Sequence, residues 1–304
     1  MIPFKRSVLL AAGLLAWLPA FAQLGGAINA AVITETRGTV AGQAGKGNKI
    51  VLKKGQPVQP GTVIDSSPNS DTVLAFPDGQ IGVLGSKGTI RLNNYAYDLK
   101  DPAKNDINLN LVNGNLRVVM GEIGQNNPAA LQLQVGTASV AMQSSDKANP
   151  ADASLVSLEG AIAVNVRSGR LEVRLPNGTL LQVLAGQTLM LSQDGKPQID
   201  TTAKMMQTLG DSPLGQQVAA QLTESQSFGP AIAQAQAAMA AVNAALKDPA
   251  AAAPGSDAKA ILAMLETLPP AEAAQDLPPP QFNTTNTPAS GAAGGGTPCS
   301  ASCN

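Results

Sequence analysis

Any chemistry in this chain has to come from carboxylates, amides and hydroxyls, because its 304 residues include no His. That removes the commonest general base, the commonest metal ligand, and every Ser–His or Cys–His nucleophile. Acid–base work would fall to two carboxyls facing each other across a cleft, as in glycoside hydrolysis. No Asp or Glu pair is set off by an apolar surround or a motif, so the chain reads as non-catalytic. Asp98, Asp101 and Asp106 place three carboxylates in nine residues. Their spacing is not that of a Ca²⁺ loop and no Gly sits at the centre, so a solvated loop is expected, without metal or other cofactor. Gly45-Lys46-Gly47 lacks the GxxxxGK[ST] spacing of a phosphate loop and reads as a hairpin turn. Cys299 and Cys303 are too few for a metal site without His. They read as an exposed disulfide, within or between chains, in an oxidising compartment.

The compartment is read from the first residues. Lys5 and Arg6 precede an apolar run from Ser7 to Leu18, and Ala20-Phe21-Ala22 offers a small-x-small cleavage signal before Gln23. Twelve apolar residues fall short of the roughly 20 a membrane span needs. Cleavage after Ala22 is expected, giving a periplasmic or secreted protein with no stable membrane insertion. Losing Lys5 and Arg6 from 20 basic residues leaves 18 against 21 acidic ones. Trp17 leaves as well, so the remaining rings are Phe76, Tyr95, Tyr97, Phe228 and Phe282. A slightly acidic, ring-poor surface suits neither phosphate backbones nor stacked bases or sugars, which argues against nucleic acid and an aromatic carbohydrate platform.

The elements that must position any site are mostly strands. From about residue 31 to 199, short alternating apolar and polar runs are separated by Gly-, Asn- and Asp-rich turns. Pro77-Asp78-Gly79 joins Thr72–Phe76 to Gln80–Leu84 as a hairpin. Asn113-Gly114 is expected to turn a second hairpin between Ile107–Leu111 and Leu116–Val118. Tyr95 and Tyr97 are two apart and share a face, read as core or edge lining. Strands recur over Leu155–Leu158, Ile162–Val166, Leu171–Leu175, Leu180–Leu184 and Leu189–Leu191. The expected fold is mainly β, an antiparallel sandwich or a solenoid-like stack of short strands with an aliphatic core.

The order of these pieces resembles the FecR domain, the periplasmic domain named after the ferric-citrate regulator. The likeness covers roughly Val32 to Met142 and rests on Gly61-Thr62-Val63, Phe76-Pro77-Asp78-Gly79-Gln80, Arg91 to Tyr97, Asn113 to Arg117 and Gly121 to Gln125. Val183 to Leu189 is similar to the closing strands of such proteins. Where the family pattern has an Arg-Gly-Thr-Asp-Phe-like segment, this chain has Gln143-Ser144-Ser145-Asp146-Lys147, so a looser loop is expected from Ser144 to Asp152. The resemblance implies a protein-contact surface in the cell envelope, here without a cytoplasmic part. Candidate contacts are Asp65, Asp78, Arg91, Tyr95, Tyr97, Arg117 and Glu122, and the partner is an unidentified envelope protein. The alternative is a structural, adhesin-like surface protein cross-linked through its terminal Cys pair.

Thus residues 1–22 read as a signal peptide, and 23–199 as the β domain, with the family likeness over 31–142 and further strands over 154–199. From Thr201 the period becomes helical. Ser212-Pro213 is an N-cap followed by Pro, with Leu214, Val218 and Leu222 four apart. A second helix carries Ile232, Ala235, Met239, Val242 and Leu246, and a third begins near Asp257. The Ala-rich middle helix could seat a second chain, but docking on itself or on the β domain is favoured. Residues 269–304 are Pro-, Ala- and Gly-rich and are expected to be disordered.

Overall fold

The computed structural model describes residues 27–248 and 256–268. The expected signal segment, the terminal Cys pair and the stretch from 269 onward lie outside the described residues. In chain order the strands are β1 (Ala31–Arg37), β2 (Val40–Ala44), β3 (Ile50–Val51), β4 (Pro57–Val58), β5 (Thr62–Ser66), β6 (Asp71–Ala75), β7 (Ile81–Leu84), β8 (Thr89–Ala96) and β9 (Asp106–Val119). After a short helix α1 (Glu122–Asn126) come β10 (Leu131–Val135), β11 (Ala138–Gln143), β12 (Asp152–Leu158), β13 (Ala161–Ser168), β14 (Arg170–Arg174), β15 (Leu180–Leu184), β16 (Gln187–Leu191) and β17 (Pro197–Thr201). Helices α2 (Thr202–Leu209), α3 (Pro213–Gln226), α4 (Gly229–Lys247) and α5 (Asp257–Thr267) follow.

Pairing sorts these strands into two sheets that share β9. The first runs β4-β1-β6-β7-β9-β12-β13-β16-β17. The second runs β3-β2-β5-β8-β9-β10-β11-β14-β15. From β10 onward, hairpins alternate between the sheets, so the sandwich carries the stacked character of a solenoid. The inner faces meet in an aliphatic core that includes Val32, Ile64, Leu92, Leu109, Val118, Leu155, Val173 and Leu189.

One expectation is corrected. Asn113-Gly114 is not a hairpin turn: β9 runs through it, with residues up to Asn113 in the second sheet and from Gly114 in the first. A register shift opposite Thr89/Ile90 and a φ of +85° at Gly114 bend the strand from one layer to the other. Only Gly fits there, since a Cβ would lie 2.5 Å from the Gly88 Cα. Sequence alternation looks alike on both sides of such a bend, so hairpin and corner read the same. The expected β sandwich stands, with one parallel pairing. β10 pairs parallel with β9 because α1 and the residues around it carry the chain back to the same end first.

The loop expected after Gln143 is present, and it is tied down. Asp146 Oδ1 accepts from the N–H groups of Ala148 and Asn149 at 2.8 Å each, and Ser144 Oγ accepts from the Ala151 N–H at 2.9 Å.

The helices cover the outer face of the first sheet. Ile232, Ala235, Met239 and Val242 of α4 pack on Val73, Ala75, Ile81, Val83 and Val119. Met205 and Leu209 of α2 and Val218 and Leu222 of α3 pack on Val156 and Ala163. The apolar stripe of α4 is thus used against its own β body. Ser212 caps α3 through the Gly215 N–H at 3.0 Å, with Pro213 in the first turn. No helix among the described residues is long and apolar enough to cross a membrane.

Candidate binding face

Of the seven candidate contacts, the fold gathers four at one corner of the sandwich. The β6–β7 hairpin brings Asp78, β8 and the residue after it bring Tyr95 and Tyr97, and the start of α1 brings Glu122. Asp78 and Tyr95 are internal, at 1% and 0% exposure. Asp78 Oδ1 accepts from the Tyr95 hydroxyl and the Gln80 N–H, both at 3.3 Å, and Oδ2 accepts from the Ile123 N–H at 3.2 Å. Gly121 runs so close to this carboxyl that a side chain there would collide with it.

Burial pushes the Asp78 carboxyl up to about 6, against the pull of those hydrogen bonds. Burial also raises the Tyr95 phenol, with the neighbouring Asp78 charge adding to it. The Gln80 amide is buried nearby, with neither atom partnered among the described residues. Above this pair, the Tyr97 hydroxyl donates to Glu122 Oε2 at 2.8 Å, and Lys247 Nζ of α4 donates to Oε1 at 2.7 Å. Burial and the Glu122 contact push the Tyr97 phenol up. Partial burial alone would raise Glu122, but Lys247 and Tyr97 hold it below its usual value. This corner fastens hairpin, α1 and α4 together.

Arg117 is also internal. Its guanidinium grips Asp152 of β12 and donates to the Ser225 carbonyl near the end of α3 at 3.3 Å. Beside it, Asn115 Nδ2 donates to the Gln221 carbonyl and Glu224 Oε2, and Ser225 Oγ donates to Ser154 Oγ. Asn115, Asp152, Ser154 and Glu224 escape a sequence reading. A polar residue at every second strand position reads as solvent-facing, and only the overlying helices make it a buried seam.

Asp65 and Arg91 are the two candidates on an open face, the outer side of the second sheet. Asp65 accepts from Lys49 Nζ at 2.6 Å and the Thr89 hydroxyl at 2.8 Å. Strand register places Arg91, Asn110, Gln134, Ser139, Arg174 and Leu180 in one row across six strands. In the next row, Asn93 donates to Asn108 at 2.8 Å and Asn108 donates to Gln132 at 3.0 Å. A shallow groove of about 380 Å³ crosses these rows, bounded by Asn108, Gln132, Ser139, Glu172 and Arg174.

The loop carboxylates go to local bonds. Asp98 accepts from the N–H groups of Lys100 and Asp101, Asp101 pairs with Lys104, and Asp106 accepts from Asn94. No cluster of three His, Cys, Asp or Glu side chains with metal-ligand geometry occurs among the described residues. A scan against protein-family models finds no match, and a search of curated proteins finds none either.

Proposed function

We propose that this chain is an exported, non-catalytic FecR-like module that binds or scaffolds an envelope protein through the outer face of its second sheet. One observation carries the reading. The helices cover the outer face of the first sheet, while the second presents Arg91, amides and Arg174 in register, with Glu172 beside them, along a shallow groove. Such a surface supplies donors and acceptors at strand spacing, which suits a protein partner more than a small apolar ligand. The family likeness supplies the envelope setting, and the amino-terminal signal pattern supplies export.

The test is site-specific photo-cross-linking in cells. A probe at Gln134, on the bare face, is expected to capture a discrete partner, with capture lost when Arg91→Glu is added. A probe at Gln236, exposed on α4, is the control. Equal capture from both positions, or none from Gln134, sinks the reading.

A further inference from the structure

The two sheets have four edges, and three of them carry devices that discourage pairing with another chain. β4 is two residues long and contains Pro57. β17 begins with Pro197 and carries Asp200, paired to Lys204. β3 is two residues long, next to Lys49 and close to Lys53 and Lys54. β15 has none of these. Its five residues, Leu180-Leu181-Gln182-Val183-Leu184, include no charge and no Pro. Leu180 and Leu184 are 53% and 47% exposed, among only five large apolar side chains so exposed in the described residues.

The pattern on this edge is its own complement. Leu180, Gln182 and Leu184 share the outer face, while Leu181 and Val183 pack inward on the core. The Leu175 N–H donates to the Thr179 carbonyl, and β14 pairs with β15 in a continuous register from there. Bonds to β14 therefore fall on Leu181 and Val183, which turns the backbone groups of Leu180, Gln182 and Leu184 outward.

We propose that β15 is a homodimerisation edge, pairing antiparallel with β15 of a second copy about a two-fold axis at Gln182. In that register Leu180 meets Leu184 of the other copy twice, and Gln182 meets itself, the self-matching arrangement a two-fold interface requires. The nearest charges, Arg170, Glu172 and Arg174, sit one strand back, with Glu172 opposite Gln182. Across the axis they are three strand spacings apart, about 14 Å at the usual spacing and beyond the roughly 8 Å screening length of physiological salt. The Gln187 side chain accepts from the Leu184 N–H at 2.9 Å. Pairing would exchange that bond for one to the second copy. The result is two second sheets joined into one ribbon through their β15 edges, at the far end of the outer face from Arg91.

Sedimentation of the full mature chain under reducing conditions, which sets aside Cys299 and Cys303, tests this. The wild type is expected to show a concentration-dependent monomer–dimer equilibrium. Gln182→Lys and Gln182→Asp each place like charges on the axis, and each is expected to weaken dimerisation about tenfold or more. An equimolar mixture of the two is expected to regain it. Circular dichroism checks that both variants fold, and the regained dimer shows the same independently. A monomeric wild type, open-ended polymers, a dimer indifferent to Gln182→Lys, or a mixture that stays monomeric would each overturn the proposal.

Discussion

Arg117 holds Asp152 with both arms of its guanidinium, Nε to Oδ1 at 2.9 Å and Nη2 to Oδ2 at 2.6 Å, on adjacent strands beneath α3. The two side chains are only 11% and 17% exposed. Breaking such a pair from one side strands a charge that has already lost most of its water. Arg117→Ala is expected to lower stability by about 3 kcal/mol in denaturant melts. Arg117→Met combined with Asp152→Leu should cost less than the single change, because neither member of the pair is left without the other. A double variant weaker than the single one would contradict this account.

Asp78 makes stability depend on pH in a defined direction. Its carboxyl sits at about 6 in the folded chain, against an ordinary 3.8. A raised acid favours the folded state while protonated, so its contribution is complete below 3.8 and is lost as pH rises through 6. The loss approaches about 3 kcal/mol, two pKa units' worth. Asp78→Asn keeps an oxygen for Gln80 and Tyr95 and removes the charge. The stability difference between variant and wild type is therefore expected to grow between pH 4 and pH 7 and to be flat beyond. A difference that does not change with pH rules the carboxyl out as its source.

Gly114 is expected to tolerate no side chain. Gly114→Ala meets both a positive φ and the Gly88 backbone, and should cost about 2–4 kcal/mol. An urea midpoint within error of the wild type would show that β9 can bend elsewhere.

The helical layer should be held by its apolar stripe and hardly at all by its ion pair. Met239 is fully buried, so Met239→Ala is expected to cost about 2–4 kcal/mol. Lys247 and Glu122 are 51% and 37% exposed, and Lys247→Ala should cost under about 1 kcal/mol. Thermal melts of the two variants separate the contributions, and equal costs would contradict the ranking.

The β body and the α3 cap were legible because each rests on local pattern. Alternation gives strands, and Ser212-Pro213 gives a helix start. The hairpin at Pro77-Asp78-Gly79 was legible for the same reason. What local pattern cannot carry is which layer lies over which. Arg117 reads as an exposed strand residue until α3 is placed above it, and Asp78 reads as a solvated turn residue until Gly121 and Ile123 close over it. Asn113-Gly114 reads as a reversal because the signal for positive φ is the same whether the chain turns back or only changes sheet. α2 is not set off as a separate helix in the sequence, because its eight residues follow directly on β17, with no punctuation between them.

Because β9 is the middle member of both layers, neither layer can be peeled away while the other survives. Amide protons on its two halves, at Leu109 and Val118, would then exchange only through the same rare opening. A proteolytic nick elsewhere would not release a half-body with its aliphatic interior laid open. The single bent strand ties the loss of one layer to the loss of the other.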